Sequence, residues 1–488
     1  MGSKKKIIIA AAGAAVVLCG VLAVKLTGRP AGLAGVLGHS SSAVDIYIDY
    51  SAEIGEVNPL NGINNGPASH AVQAVDGSWD FDFDVTQYYK SMNVPIVRLH
   101  DTEYPFGSDK FVDIHCIFPD FSADEDDPAS YYFEATDAYV AKIVESGAEV
   151  MFRLGESIDH TGENRYINEP SDYDKWARVC EHIVRHYNES WNKGFDYDIK
   201  YWEIWNEPDN SLMWTGTMDE YCRLYATTAK YLKDKHDDIY IGGPALTGIK
   251  EDEMRVFLDG IKAYGDVPLD FFSWHDYNDS PAAFASHADK AREILDEYGY
   301  TDIPSILDEW NYIEDWADQT GSIELRSSQK GAAYIAAALM TMQSHGVDMA
   351  MYYDGQYEFA DYYCGLYGRD GRTKPGYYSF RYWGELMRLG TQVKTEISLG
   401  RDGASTEETD VMAVAARSRS GMHGLMIVNY GENAARVRIK TADAQHLEIL
   451  DIHRVNEKHP DEKVSAGIML FGKKSITMQP GEVMFISF

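Results

Sequence analysis

Residues 199–243, IKYWEIWNEPDNSLMWTGTMDEYCRLYATTAKYLKDKHDDIYIGG, run from a short apolar stretch through a long amphipathic one to a second short apolar stretch. The ends, 199–206 and 238–243, carry the β-branched and aromatic residues that suit a pleated, half-buried surface. The middle, 218–236, reads as a helix. The same rhythm recurs on both sides. Further strands are expected at 57–65 (VNPLNGINN), 94–100 (VPIVRLH), 148–154 (AEVMFRL), 269–275 (LDFFSWH), 303–309 (IPSILDE) and 347–354 (VDMAMYYD). Helices are expected near 84–92, 130–146, 172–193, 251–263, 281–299, 326–344 and 376–390. Eight strands alternating with eight helices predict an α/β fold, the (β/α)8 TIM barrel. The segment 57–65 is a poor strand on propensity; the others are good.

After about residue 392 the rhythm changes. The runs 411–417, 424–430, 435–440, 446–452 and 482–488 are short, alternating and separated by turns, which predicts a C-terminal antiparallel β-sandwich. The segment 44–50 (VDIYIDY) is strand-like, precedes the barrel and is a candidate to pair with that sandwich. The expected division is a barrel domain over 43–391 and an accessory domain over 392–488.

In barrel enzymes the chemistry sits at the C-terminal ends of the strands. Here those ends are polar: Arg98-Leu99-His100-Asp101, Gly155-Glu156-Ser157, Asn206-Glu207-Pro208, His275-Asp276-Tyr277, Asp308-Glu309-Trp310-Asn311 and Tyr353-Asp354. Charged groups are seldom buried without a purpose, so this set reads as a site rather than as packing. Two acids at the tops of the fourth and seventh strands face each other across a barrel mouth, as glycoside hydrolysis requires. One carboxylic acid protonates the leaving oxygen while a carboxylate meets the developing oxocarbenium ion. Glu207 stands at the fourth strand. At the seventh, Asp308 and Glu309 are neighbours whose side chains strand alternation sends to opposite sides. Arg98 and His100, two residues apart on the second strand, point the same way, toward the mouth.

The segment 201–210, YWEIWNEPDN, resembles the fourth-strand motif of clan A glycoside hydrolases, and within that clan the chain is most similar to glycoside hydrolase family 39. PSILDEWNY (304–312) resembles the nucleophile motif, and FFSWHDYND (271–279) the sixth-strand His-x-Tyr motif. The resemblance covers about residues 45–390. It implies that Glu207 is the acid/base and Glu309 the nucleophile of a retaining double displacement. It further implies that Asn206 binds the sugar 2-hydroxyl, that Tyr277 hydrogen-bonds the nucleophile and that His275 lines the sugar site. Arg98 and His100 are added as substrate-binding candidates from their position. Xylosidase-type exo cleavage is the first expectation, with a uronidase, an endo-glycanase or a non-catalytic carbohydrate-binding protein as alternatives. A uronidase needs a cation for the substrate carboxylate, for which Arg98 and Arg153 are the candidates. Two departures bear on the sugar: the eighth strand ends Tyr352-Tyr353-Asp354 where the clan often has Trp, and the second ends Arg-Leu-His-Asp where His-Gly is commoner.

Composition agrees with a carbohydrate protein without requiring one: 33 Tyr, 18 Phe and 10 Trp. A formal net charge of −33 repels nucleic acid and anionic lipid. The partner that the resemblance implies is an oligo- or polysaccharide, with no cofactor and no metal. His182 and His186 are four apart, but in the order Glu-His-Ile-Val-Arg-His rather than His-Glu-x-x-His. The acidic run Asp124–Asp127 lacks the alternating ligands of a calcium loop. Five scattered cysteines make no disulfide framework. Lys4–Lys6 before the apolar run Ile7–Val24, followed by a Gly/Ser-containing linker at 27–42, predict an export signal or membrane anchor over 1–42 and an extracytoplasmic protein. The membrane is otherwise not expected to be touched. Oligomeric state is not legible.

Overall fold

A computed structural model describes residues 43–68, 71–73, 75–77, 79–81, 83–100, 111–158, 166–355, 363–399, 409–442, 451–456, 459–465 and 475–488. The expected signal or anchor over 1–42, with Cys19, lies outside these residues. Among the described residues no helix is long and apolar enough to cross a membrane.

The described residues open with β1 (Val44–Glu56), enter the barrel with β2 (Gly62–Asn64) and add a hairpin of β3 (Ala71–Gln73) and β4 (Trp79–Phe81) before α1 (Thr86–Met92). Next come β5 (Ile96–Arg98), the short α2 (Ile114–Ile117), α3 (Glu134–Ser146), β6 (Glu149–Leu154), α4 (Tyr173–Asn188), β7 (Tyr201–Ile204) and α5 (Met218–Lys235). The barrel is completed by β8 (Tyr240–Leu246), α6 (Glu251–Lys262), β9 (Phe271–Tyr277), α7 (Pro281–Glu297), β10 (Ser305–Asn311), α8 (Thr320–Arg326), α9 (Gln329–Ser344), β11 (Met349–Tyr352) and α10 (Pro375–Leu389). The eight parallel strands β2, β5, β6, β7, β8, β9, β10 and β11 form a closed barrel. The expected eight-strand, eight-helix order is therefore the observed one, with α2, α8 and the hairpin added.

Local sequence explains where elements begin and end. Thr217 and Glu220 exchange hydrogen bonds in a capping box that starts α5. Asp172 accepts from the Lys175 amide to start α4. Pro281 and Pro375 occupy first-turn positions, where the missing N–H costs nothing. Strand β2 is only three residues long, and a Cβ at Gly62 would lie 2.7 Å from the Ala350 carbonyl oxygen, so β11 can pack there only against glycine.

Inside the barrel, side chains stack in layers. Ile96, Met151, Phe271, Ile306 and Met351 plug the lower half with an apolar cluster. Two residues further along their strands come Arg98, Arg153, Ser273 and Asp308, joined by Glu203 from β7, all fully buried. An ionic layer thus lies directly on an apolar plug.

The second domain contains β12 (Thr391–Leu399), β13 (Val411–Arg417), β14 (His423–Asn429), β15 (Ala435–Thr441), β16 (Asp451–Asn456), β17 (His459–Ser465), β18 (Ile476–Met478) and β19 (Glu482–Ser487). With β1 they make one continuous nine-stranded sheet, ordered β17-β16-β19-β14-β13-β12-β1-β15-β18. It is antiparallel except where β1 runs parallel to β15. Ile452 near one end and Met478 at the other join the same buried cluster, so the sheet folds over on itself to enclose a core. Its other face, through Val414, Met426, Val428 and Phe485, belongs to the barrel's outer core. Cys116, Cys180, Cys222 and Cys364 are free thiols.

Candidate active site

The mouth of the barrel holds a cavity of about 340 Å3, lined by His100, Asn206, Glu207, Tyr277, Glu309 and Tyr353, with Asn210, Met213, Ile158, Thr247, Trp316 and Tyr363 around them. An oxygen of Glu207, an oxygen of Glu309 and a nitrogen of His275 all lie within 4.8 Å of one another.

Glu309 is fixed from four directions. Arg98 Nη1 donates to Oε1 at 2.8 Å, and Tyr277 donates its hydroxyl to Oε2 at 2.7 Å. His100 Nε2 lies 2.8 Å, and His275 Nε2 3.5 Å, from Oε1. Burial pushes this carboxyl up, but His275, His100 and Arg98 together outweigh it and hold the group well below the ordinary carboxylate range. Glu309 is therefore an anion held in place.

Arg98, expected as a substrate contact, is fully buried beneath the cavity. Its Nε donates to Glu203 at 2.7 Å and its Nη1 to Asn64 at 3.1 Å, while Nη2 donates to Asn206 Oδ1 at 2.6 Å. It reaches the cavity only through the residues it holds. Asp308 also meets it, Oδ2 lying 3.0 Å from Nε. Both neighbouring acids thus turn to the same guanidinium, contrary to strand alternation. The register explains this: Leu307 pairs with Trp274 and Glu309 with His275, so Asp308 is an extra residue in a bulge. Burial and the adjacent Glu203 carboxylate push Asp308 well above its ordinary value, although Arg98 opposes them. Glu203 is shifted the other way: burial raises it, but Arg98 and hydrogen bonds from Asp308 and Ser273 carry it below its usual value. In this pair Asp308 keeps the proton and Glu203 carries the charge.

Glu207 stands on a bent backbone. Trp205 has φ 72° and Glu207 φ 45°, a conformation costly for side-chain-bearing residues. The Trp205 amide still donates to Leu154 O and the Glu207 amide to Ala245 O, so the strand end is pinned while it turns. His275 Nδ1 lies 2.8 Å from Glu207 Oε1, and Asn210 Nδ2 donates to Oε2 at 2.7 Å. His275 stands between the two acids, one ring nitrogen toward each.

Glu207, Glu309, Asn206, Tyr277 and His100 line the cavity, whereas Arg98 and His275 support it from within the wall. Sequence reading missed Glu203 and Asn64 as partners of Arg98, and Asn210, Trp316 and Tyr363 as wall residues. Asn210 was within reach, three residues past Glu207 in a turn whose Asn210 amide donates to the Glu207 carbonyl at 2.9 Å. Tyr353, at the place where the clan often carries Trp, packs its ring against His100 (centroids 5.6 Å apart) and Tyr277 (6.2 Å). Arg153 is buried and tied to Asp113 at 2.7 Å. Among the described residues lining the cavity there is neither Lys nor Arg.

A closed eight-stranded barrel thus brings a carboxylate on β10, anchored from four sides, and a second carboxylate just past β7 to one cavity at its mouth. The chain belongs to glycosyl hydrolases family 39, whose sequence profile matches residues 96–355, more than half of its length. It is 31% identical over 117 residues to a beta-xylosidase of Caldicellulosiruptor saccharolyticus and 33% identical over 114 residues to one of Geobacillus stearothermophilus. Each match covers 23% of this chain and spans only 22% of the relative's length. In architecture it resembles a glucosidase from Croceicoccus marinus, with a TM-score of 0.73 and 23% identity over 92% of this chain and 99% of that one. At that identity the likeness speaks for the fold.

Proposed function

We propose that the protein is a retaining glycoside hydrolase that releases a neutral sugar, xylose-like, from the end of a glycoside. The observation that carries this reading is the approach of the two carboxylates. Retaining enzymes hold them about 5–5.5 Å apart, whereas inverting ones need about 6.5–9.5 Å to admit a water. Oxygens of Glu207 and Glu309 within 4.8 Å of each other support the closer arrangement. Glu309, ionised and oriented by Tyr277, attacks the anomeric carbon while Glu207 protonates the leaving oxygen. Once Glu309 is esterified its charge is gone, and Glu207 then takes a proton from the water that hydrolyses the ester. Arg98 fixes the amide of Asn206 through Oδ1, which leaves the Nδ2 side to donate to a sugar hydroxyl as charge develops.

A neutral sugar is favoured because Arg98 and Arg153, the cations a uronidase would need, are both buried and engaged. The small cavity and the partial identity to two beta-xylosidases favour exo-acting, xylosidase-like cleavage. The test is trapping with a 2-deoxy-2-fluoro-β-xyloside and proton NMR of the first product from a nitrophenyl β-xyloside. The reading expects a covalent label on the peptide containing PSILDEWNY and product of unchanged anomeric configuration. Inverted product, or a label on Asp308, overturns it.

We also propose an extracytoplasmic location through residues 1–42. Deleting them should leave activity unchanged while moving the protein to the cytosolic fraction; unchanged fractionation refutes the assignment.

A further inference from the structure

A second cavity, about 1100 Å3 against 340 Å3 for the one over the carboxylates, lies outside the barrel wall. It is bounded by residues 114–121, by Glu156 and residues 166–172 after β6, and by the first half of α4 and α5. No described residue lines both cavities. Trp205 faces this one, while its successors Asn206 and Glu207 face the other, so the two are back to back across one strand end.

Aromatic rings make much of its wall: Phe118, Phe121, Tyr166, Tyr173, Trp176 and Trp205. Tyr166 is 42% exposed and stacks on His115 with centroids 3.7 Å apart and planes 4° from parallel. Between the rings stand hydrogen-bonding groups: Glu156, held by His115 through both ring and main chain, Glu169, which accepts the Tyr173 hydroxyl, and Asn168. At about 1100 Å3 it is slightly larger than the roughly 300–1,000 Å3 of small-molecule sites.

The wall chemistry narrows the ligand. Glu156, Glu169, Asp172 and Asp174 disfavour an anion. A cation would seek the aromatic faces, but those are already served from within: Arg223 sits 4.3 Å over Tyr173, and Lys175 5.8 and 5.6 Å from the Phe118 and Phe121 rings. A divalent metal would need Asp113, His115 and Glu156, whose ligand atoms lie within 4.8 Å of one another. However, Asp113 is taken by Arg153 and Ser157, and Glu156 by His115. What remains is a neutral polyhydroxy ligand with flat C–H faces. We propose that this cavity is a second carbohydrate site, distinct from the catalytic one, that holds a neutral oligosaccharide segment. The choice of sugar rests on the glycosidase reading of the first cavity.

The experiment separates the two sites by blocking one. Glu309 is labelled with the 2-fluoro-β-xyloside, and xylotetraose, cellotetraose and tetragalacturonate are titrated onto the labelled full chain by calorimetry. At least one neutral tetrasaccharide should bind at one equivalent per chain, and tetragalacturonate should not. Tyr166→Ala and Glu169→Gln, both at exposed positions, should each weaken that binding tenfold or more while leaving the melting temperature and kcat/KM on a nitrophenyl xyloside unchanged. No binding of either neutral probe, preferential binding of tetragalacturonate, or binding indifferent to both substitutions overturns the proposal. If no label forms, the function proposed for Glu309 fails instead, and the same titrations on unlabelled wild-type and Tyr166→Ala chains still decide the second site.

Discussion

The β10 side of the mouth and the β7 side solve opposite problems with the same residue type. On β10, Glu309 is sunk in the wall among Arg98, His100, His275 and Tyr277, and against the cost of burial His275, His100 and Arg98 together favour the anion. On β7, Glu207 projects from a backbone turned into positive φ, keeps 16% of its side chain exposed and is held by His275 and Asn210. The first arrangement suits a group that must be charged and aimed before substrate arrives. The second suits one that must exchange a proton with a leaving group and then with water. On the proposed mechanism, role is assigned by surroundings rather than by residue identity.

The widest break in that comparison is Glu309→Ala, expected to lower kcat by on the order of 10⁴-fold or more on every substrate. Azide should then replace the missing carboxylate and give the α-azide from a β-xyloside. Retention of more than a hundredth of wild-type kcat would move the nucleophile elsewhere. Glu207→Ala should cost roughly 10²–10⁴-fold with poor leaving groups but little in glycosylation by activated aryl glycosides. Azide here should yield the β-azide, and an equal loss on all leaving groups would contradict an acid/base role.

Arg98→Met tests the foundation of the β10 side. It leaves Glu203 buried without its counter-ion, for which about 3–5 kcal/mol of stability is expected to be lost in urea denaturation. Because Glu309 is held below the ordinary range, its ionised form contributes stability above the unfolded value of about 4.3. That contribution disappears as pH falls through the lower folded value. The acid limb of kcat/KM should therefore lie below pH 4.3 in the wild type and move to higher pH in Arg98→Met. An unmoved limb would dismiss Arg98 as the anchor. The smallest effect is expected at Trp316, 61% exposed at the cavity rim with its ring 5.1 Å from that of Tyr277. Trp316→Ala should raise KM for xylo-oligosaccharides by a few-fold to about tenfold with kcat nearly unchanged. A fall in kcat alone would make it part of the β10 machinery instead.

The order of strands and helices was legible because all but 57–65 are strongly patterned segments of ordinary length, and the motifs at 201–210 and 304–312 pointed to Glu207 and Glu309, which the barrel brings to one cavity. The orientation of Asp308 was not, since nothing in the run SILDEWN marks where the strand bulges. The partnership of Arg98 with Glu203 and Asn64 was hidden for another reason. It joins three strands across the barrel interior, and only closure of the barrel brings them together. Strand 57–65 looked weak, and is: the barrel keeps just Gly62–Asn64 of it.

The position of β1 bears on how the chain is made. Val44 pairs with Leu399 on one side and with Val437 on the other, so the first described strand completes a sheet whose other members are translated last. At synthesis rates of roughly 5–20 residues per second, β1 leaves the ribosome tens of seconds before either neighbour exists. During that interval the whole barrel can close, and β1 must wait as an exposed, edge-like strand of the sort that pairs with the wrong chain. Neither domain can then be excised by a single cut. A nascent chain halted after α10 would present β1 without either of its sheet neighbours.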